Sequence, residues 1–586
     1  MSAQSTGRRT RLGALVGLCC AILALGPGLG PGYLLFYDMV FVPRLPLSER
    51  TLGIDGSVPR AVPGDLVVAL GSQLAPGWVV QKLLLLLVFV GVGAGAASFF
   101  SSRVGAIAAA VAAAWNPYVG ERLAIGHWGF LLGYACLPFL ARAVLDHRRD
   151  PDAARLRLLG WTLLTALTGS TGAVLGLLVT LVLVLVPGPP AHARMRVVRA
   201  ATPLGAFILA NAAWWFPFIF LAPRDAADPA GVTAFMSRAD TPLGVFASVL
   251  TGGGIWNEGV WFGDRSALLV ASAALVAVIA VLVVAARAVV RCPELLGGAF
   301  PAIAVAGVLG LLIACASAMP GGREAVTWVV TTVPGGGLMR DSQKFVAPWM
   351  LAVALASGIT AELASSAVSR VGAAGPVRAA VAALAVLWPV ATFPGMALGA
   401  GGTWQASDYP TGFTAMAQRI DALPEGKVAV FPWNLYRRYA WNHDVVTLDP
   451  WQRLLDRDVL VNDDLPLSDR VVRGESADAA RIGRAVTNGG DVRAALRASG
   501  VRFVLVATDQ PAMRSFDAKG LTPIATEPGL VLYRLDGDVA PSVSDAAWWR
   551  CSGLLGLASA IGWFVATATA AALRARRGWV VDQTRE

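Results

Sequence analysis

Charged residues are scarce in this chain of 586 residues: 15% are Asp, Glu, Lys or Arg, and only four are lysines. A soluble globular protein carries about 25% charged residues. Hydrophobic residues make up 56% of the sequence and form nearly continuous runs at 83–100, 267–290 and 302–316. Runs of about 20 apolar residues match the thickness of a bilayer. The composition excludes a soluble protein and predicts one that crosses a membrane many times.

Cysteine is also sparse, and the long polar segment 400–547 has none. The six cysteines lie in or beside apolar runs, and the sequence has no CxxC pair and no Cys/His cluster. We therefore predict neither structural disulfides nor a zinc site. The sequence also has no GxSxG elbow, no HExxH motif and no EF-hand loop. We therefore do not predict the activities that these motifs indicate.

The net charge of +10 suggests nucleic-acid binding until its position is considered. Arginines are concentrated in short loops between apolar runs, and the positive-inside rule places such loops in the cytoplasm. We predict a multi-pass protein of the inner (plasma) membrane with both termini in the cytoplasm and no nucleic-acid partner.

About twelve transmembrane helices account for the apolar segments. The first run has no clear small-x-small cleavage site, so we interpret it as a retained helix. The stretch 158–187 is interrupted at Thr168–Gly172, which predicts two short helices that meet within the membrane. The predicted spans are 12–36, 78–100, 104–116, 128–145, 158–170, 172–187, 199–222, 266–287, 301–319, 345–364, 379–399 and 548–573.

The segment before the last span has a different composition. Alternating apolar stretches predict strands at 427–431, 501–507 and 530–535, and 477–499 has the spacing of one or two amphipathic helices. Its aromatic and hydrogen-bonding residues at 431–443 suit either glycan binding or a domain core. We therefore predict three parts: a transmembrane core of about eleven helices (1–399), a small extracytoplasmic α/β domain (400–547), and a final helix with a basic cytoplasmic tail (548–586).

Asp38 follows the first span, where a carboxylate is placed to act as a general base or to hold a metal, or simply ends a helix. Asp55 and Asp65 in the same loop are further acidic candidates that more readily serve turns. The turn 115–128 combines Glu121, Arg122, His127 and Trp128. This mixture suits a sugar site, and it equally suits a structural ion pair with a helix cap.

A glycine-rich turn precedes the tenth span and leads to Arg340 and Lys344 at helical spacing. Two cations there either hold a lipid-linked phosphate or extend towards lipid headgroups.

The segments Asn116–Leu140, Leu250–Asn257 and Pro334–Trp349 together resemble the membrane core of GT-C glycosyltransferases. The similar branches are the actinobacterial cell-wall α-(1→3) arabinofuranosyltransferases and the YfhO-like membrane proteins. Ser499–Ala507 resembles a strand of YfhO-like tails. The chain lacks the long carbohydrate-binding extension of the large arabinofuranosyltransferases, which leaves the sugar and the acceptor open.

The resemblance implies transfer of a sugar, such as arabinofuranose or mannose, from a polyprenyl-phosphate donor to a cell-envelope glycan or lipid. It implies Asp38 as the catalytic base, Arg340 and Lys344 at the donor phosphate, and a cavity lined by the polar residues of the turn 115–128. The paired acidic motif of metal-dependent relatives is missing, so we predict no obligatory metal and no other cofactor. A glycan or lipid transporter (flippase) and a non-catalytic assembly scaffold remain alternatives. The absence of a detectable repeat disfavours the transporter.

Overall fold

A computed structural model gives the fold of the chain. It describes residues 3–55, 59, 61–187, 192–221, 228–293, 295–333, 335–467, 471–513, 517–538 and 546–583. Helices dominate up to residue 402, and a mixed sheet with its flanking helices fills most of the region from 406 to 535.

The first half of the chain contributes one short strand, β1 (Tyr33–Leu34), and thirteen helices within the described ranges. The helices are α1 (Ala3–Leu25), α2 (Glu49–Leu52), α3 (Gly64–Leu74), α4 (Gly77–Ala97), α5 (Arg103–Ala114), α6 (Pro117–Ala124), α7 (Trp128–Arg149), α8 (Pro151–Ala166), α9 (Ser170–Leu185), α10 (Ala193–Ala210), α11 (Ala212–Leu221), α12 (Ala230–Ala234) and α13 (Gly244–Leu250).

Six helices complete the bundle before the sheet. They are α14 (Leu268–Arg291), α15 (Ala299–Ala316), α16 (Gly322–Thr332), α17 (Val346–Arg370), α18 (Gly375–Thr392) and α19 (Ala397–Gly402), the last with positive φ over 398–401.

The prediction of a polytopic helical membrane protein is confirmed. Each of the twelve predicted spans contains a helix, and eight described helices are long and apolar enough to cross a membrane. The other four predicted spans correspond to helices of 10 to 18 residues, namely α5, α8, α9 and the pair α10 and α11. The predicted first span, 12–36, extends too far, because α1 ends at Leu25 and β1 (Tyr33–Leu34) follows.

The predicted break within 158–187 is present between α8 and α9. Gly169 has φ +88°, a left-handed conformation that glycine adopts without a steric penalty. Beyond the break, Gly172 packs against Gly133 of α7, and a Cβ atom on Gly172 would lie 3.0 Å from the Gly133 Cα atom. Two glycines therefore allow α9 to approach α7 closely.

The region after α19 forms a small domain built on a five-stranded sheet, which we call the sheet domain. The order β10-β11-β9-β3-β6 is parallel across β9, β3 and β6 and antiparallel across the other neighbours. The predicted strands agree with β3, β9 and β11. The elements are β2 (Ala406–Ser407), α20 (Thr411–Asp421), β3 (Lys427–Phe431), β4 (Tyr436–Arg438), β5 (Val446–Leu448), α21 (Trp451–Leu454), β6 (Val459–Leu460), β7 (Leu465–Pro466), β8 (Val471–Val472), α22 (Ala477–Thr487), α23 (Val492–Ala498), β9 (Val501–Ala507), β10 (Leu521–Glu527) and β11 (Leu530–Leu535), followed by the final helix α24 (Ala546–Gln583).

The sheet domain is joined to the loop that follows α1. Strand β1 pairs with β2, and the Tyr37 backbone N–H donates to Val446 O at 2.6 Å while Leu448 N–H donates to Tyr37 O at 2.8 Å. Most of the aromatic residues at 431–443 serve the domain core, since Phe431, Trp433 and Tyr439 are buried. Tyr436 is different, because its hydroxyl reaches the first loop.

Candidate functional site

Asp38 lies in the first loop, held by backbone contacts with the segment after α6. Its backbone N–H donates to Ile125 O at 3.1 Å. Gly126 has φ +90°, and a Cβ atom there would lie 2.1 Å from Met39 N and 2.6 Å from the Asp38 carbonyl carbon. Only glycine permits this approach, so residue 126 fixes the distance between the first loop and His127.

Two side chains contact the Asp38 carboxylate. The Tyr436 hydroxyl donates to Oδ1 at 2.7 Å, and His127 Nε2 lies 3.2 Å from Oδ2. Burial raises the pKa of Tyr436 well above its ordinary value, and the charge of Asp38 raises it further, so the phenol keeps its proton. The Asp38 side chain is 39% exposed, which leaves its carboxylate accessible to a ligand.

His127 connects Asp38 to a buried arginine. Its Nδ1 atom lies 2.9 Å from Arg122 Nη1. Because a guanidinium only donates, Nδ1 accepts, and this places the ring proton on Nε2, where it faces Asp38. The imidazole also packs against Phe130 with ring centroids 4.4 Å apart.

Arg122 is fully buried and holds the turn before α17. It forms a bidentate ion pair with Asp341, in which Nη2 lies 2.7 Å from Oδ1, and its Nε donates to Gln343 Oε1 at 2.9 Å. Burial alone would raise the pKa of Asp341, but the adjacent Arg122 holds it below the usual aspartate range. Asp38, His127, Arg122 and Asp341 thus form one continuous polar chain.

Glu121 points away from that chain, because neighbouring residues of an α-helix lie about 100° apart. Asn116 caps α6 by accepting from Val119 N–H at 3.0 Å, and the helix carries Glu121 into a buried cluster with Asp240 and Arg265. Glu121 Oε2 accepts from Ile255 N–H at 3.0 Å, and its Oε1 lies 3.6 Å from Arg265 Nε.

The pKa values of the two carboxyl groups of this cluster are shifted in opposite directions. Burial and the charge of Asp240 raise the pKa of Glu121 well above its ordinary value. Burial opposes ionisation of Asp240 too, but Arg265 outweighs it and lowers that pKa to about 2. The two pKa values are thus shifted in opposite directions, towards the neutral form of Glu121 and the ionised form of Asp240, and Glu121 holds the Ile255 backbone N–H.

We expect Glu121→Gln to be at least as stable as the wild type at pH 7, because the amide keeps an acceptor for Ile255 and, unlike Glu121, has no carboxyl group that ionises when the chain unfolds. A raised folded-state pKa means that the stabilising contribution is present at low pH and is lost as pH rises through the folded pKa of Glu121. Thermal unfolding should therefore show wild-type stability declining as pH rises from the ordinary glutamate pKa towards the raised folded-state pKa, and Glu121→Gln should lack this component. Asp240→Asn should be destabilising at pH 7, and equal melting temperatures for the two variants would contradict the assignment.

A cavity of about 440 Å³ opens between the bundle and the sheet domain. Tyr37 and Tyr436 line it, and both are adjacent to Asp38, the first in sequence and the second through its hydroxyl. Trp256 and Asn257 supply an indole and an amide, while the cavity's Arg238 is paired with Glu258 at 2.9 Å. The cavity combines aromatic faces with hydrogen-bonding groups and has little net charge.

Arg340 and Lys344, the two predicted cations, are each separated from the site by one aromatic ring. Arg340 lies 5.6 Å above the Phe235 ring, whose edge contacts Trp256 of the cavity. Lys344 lies 6.0 Å above the Phe130 ring that packs on His127, and its ammonium donates to Leu338 O.

Trp128 packs against Phe41 of the first loop with ring centroids 5.2 Å apart. The structure therefore joins Arg122 and His127 to Asp38, while Glu121 and Trp128 support the surroundings.

Several residues of the site were not predicted individually. Asp341 and Gln343 lie in the glycine-rich motif, in which only the cations Arg340 and Lys344 were predicted as site residues. Tyr436 is distant from Asp38 in sequence, and nothing in its local pattern indicates the contact. Within the described ranges, no three His, Cys, Asp or Glu side chains are close enough to form a metal site.

No protein-family model matches this sequence, and no curated protein matches it. Solved structures do share its architecture. The arabinofuranosyltransferase AftD from Mycobacteria aligns with a TM-score of 0.54 over 91% of this chain at 16% identity. Its R1389S mutant (class 2) aligns with a TM-score of 0.54 over 91% of this chain at 17% identity. The archaeal oligosaccharyltransferase AglB from Archaeoglobus fulgidus aligns over 94% of this chain and 77% of its own at 11% identity, with a TM-score of 0.41.

The alignments cover 40% and 42% of the AftD chains, so this chain spans less than half the length of AftD. At such low identity the likeness to AftD establishes the fold alone. The chain has the predicted polytopic helical fold with a small sheet domain, and it shares this fold with the arabinofuranosyltransferase AftD.

Proposed function

We propose that this protein is a membrane glycosyltransferase that moves a sugar from a polyprenyl-phosphate donor to a cell-envelope glycan or lipid. The observation that carries the proposal is the partly exposed Asp38 carboxylate, held by Tyr436 and His127 beside a cavity with an indole face. Aromatic faces with a few placed polar groups are typical of sugar-binding sites.

In the proposed reaction Asp38 accepts the proton of an acceptor hydroxyl. The acceptor oxygen then bonds to the anomeric carbon, and the bond from that carbon to the donor phosphate oxygen breaks. Polyprenyl phosphate leaves with the bonding electrons, and nearby cations stabilise its charge. Tyr436 and His127 orient the carboxylate by donating to its two oxygens.

The acceptor is proposed to occupy the cavity, because the charge there is nearly balanced. A donor phosphate needs cations, and Arg238 is held by Glu258 at 2.9 Å, whereas Arg340 Nη2 lies 3.8 Å from Glu475 Oε1. Arg340 and Lys344 are the proposed phosphate ligands, each next to an aromatic ring that adjoins the site.

Replacing both Arg340 and Lys344 with Gln should weaken donor binding by about tenfold or more, since hydrogen bonds to charged groups contribute about 1.5–3 kcal/mol each. Lys344 is 3% exposed, so Arg340→Gln is made separately as the variant less prone to unfold. Arg238→Gln is the matched control, a cavity cation already engaged by a carboxylate. Affinity for a polyprenyl-phosphate sugar, measured in detergent, checks this. Equal affinity in the double variant and the control would remove the pair from the donor site.

The proposed reaction also requires an orientation: the sheet domain outside the cytoplasm and both termini inside it. Alkaline-phosphatase fusions should then be active near residue 470 and inactive near residues 150 and 580. Green fluorescent protein fusions at the same points are the complementary control. An active phosphatase fusion at 150 would reverse the orientation and the side on which the reaction occurs.

The function itself is tested by glycan and lipid profiling of a depletion strain, followed by transfer of a radiolabelled sugar in vitro. A glycosyltransferase leaves one sugar decoration missing and its donor in excess, and purified protein restores the transfer. An unchanged glycan profile together with no transfer from any polyprenyl-phosphate sugar would refute the proposal. Accumulation of a complete lipid-linked glycan on the cytoplasmic side would favour the transporter instead.

A further inference from the structure

A second cavity lies at the opposite end of the bundle from Asp38. Helix α7 begins at Trp128 beside the site, and Arg148 lies in its last turn. Twenty residues of α-helix span about 30 Å, which is the thickness of the hydrocarbon core of a bilayer. The second cavity is therefore separate from the proposed active site and lies near the other membrane surface.

Three arginines line this cavity of about 240 Å³: Arg148 of α7, and Arg196 and Arg199 of α10. The rest of its described lining is the end of α9 and Ala200, and it includes no acidic residue. The acidic residue of the last turns of α7, Asp146, faces other arginines, with Arg157 Nη1 at 3.2 Å from Oδ2.

The cavity is built around a fixed guanidinium. Arg148 is 8% exposed and donates to Leu183 O and Val186 O at the end of α9. These two hydrogen bonds hold the positive charge of Arg148 at the inner wall of the cavity. Arg196 is exposed, and its guanidinium has no hydrogen bond or ion pair with any described residue. One side of the cavity thus offers donors that an incoming anion can use.

We propose that this cavity binds a phosphate group, carried either by an anionic phospholipid headgroup or by a soluble phosphate. Guanidinium donors match phosphate oxygens in geometry, and basic pockets between membrane helices suit lipid headgroups. The cavity volume accommodates a phosphate with its glycerol but not a folded polypeptide. Its apolar rim, formed by Val184, Leu185 and Val186, suits an acyl ester.

The test uses the full-length protein purified in detergent and titrated with phosphatidylglycerol, with phosphatidylcholine, and with inorganic phosphate. Saturable binding is read by native mass spectrometry and by the shift in melting temperature. Arg196→Gln/Arg199→Gln should weaken phosphatidylglycerol binding by at least about tenfold. Arg194→Gln/Arg155→Gln, two arginines at the same end of the bundle outside the cavity lining, is the matched control and should bind as the wild type does.

The three test ligands distinguish the two possible sources of the phosphate. Saturation by phosphatidylglycerol alone assigns a lipid headgroup, and equal saturation by inorganic phosphate assigns a soluble ligand. Should the double variant fail to fold, the exposed Arg196→Gln alone still predicts a several-fold loss. Equal binding by wild type, cavity variants and control would overturn the proposal, and so would the absence of saturable binding to the wild type.

Discussion

Asp38→Asn is expected to lower the rate of sugar transfer by about 10²–10⁴-fold, the usual contribution of a general base. The amide has nearly the same size, and its oxygen still accepts from Tyr436, so only the hydrogen bond from the partly exposed His127 contact is lost. Folding and donor affinity should therefore survive. The measurement is the turnover of purified wild type and variant with a polyprenyl-phosphate sugar, at matched expression and verified monodispersity.

His127 is the competing candidate for the base, and its contacts argue against it. Its Nδ1 accepts from Arg122 and its Nε2 faces Asp38, so neither nitrogen has a lone pair directed to an incoming hydroxyl. The Asp38 side chain is 39% exposed, and each carboxylate oxygen has a further lone pair. We therefore expect His127→Asn to impair transfer less than Asp38→Asn does.

Asp55→Asn is the matched control, since Asp55 is an exposed carboxylate of the same loop and should tolerate the change. Tyr436→Phe removes one donor to Asp38 and should cause an intermediate loss. If Asp38→Asn retains turnover within twofold of the wild type, Asp38 has no role as a base. Loss of donor binding together with turnover would instead indicate a collapsed site.

The sequence was sufficient for the architecture because the bundle and the sheet depend on local patterns. Apolar length predicted the spans, and two-residue alternation predicted β3, β9 and β11. Strand β10 (Leu521–Glu527) was missed because none of its residues is buried, Pro523 interrupts its pattern, and it lies at the edge of the sheet. The two-residue strand β6 carries too short a signal to be recognised alone.

The site was predictable only in part, because its contacts join segments far apart in sequence. Asp38 and the turn with Arg122 and His127 were identified from unusual polar residues between apolar helices. Tyr436 is 398 residues from Asp38 in sequence, and only the docking of the sheet domain brings them together. Because neighbouring helix residues lie about 100° apart, Glu121 and Arg122 face different sides of α6. The partners of Glu121, Asp240 and Arg265, come from distant parts of the sequence and could not be predicted.

Arg122→Gln is expected to destabilise the protein by about 3–5 kcal/mol, the cost of removing one partner of a buried ion pair. Arg122 has no exposed surface, and it contacts Asp341, Gln343 and His127. The variant leaves the Asp341 carboxylate, whose side chain is 18% exposed, without its bidentate cationic partner. The half-life of heat inactivation in detergent at a fixed temperature measures the effect, because membrane proteins commonly unfold irreversibly.

A double-mutant cycle separates the ion pair from other effects of the substitution. Arg122→Gln/Asp341→Asn should be less destabilised than the sum of the two single variants, since the unpaired charge is removed. Arg238→Gln is the control: Arg238 forms a 2.9 Å ion pair with Glu258, whose side chain is 62% exposed. Such a pair typically contributes about 0–1 kcal/mol. Equal half-lives for Arg122→Gln and Arg238→Gln would show that Arg122 does not hold the site together. A strictly additive cycle would place the stabilisation in Gln343 and His127 rather than in Asp341.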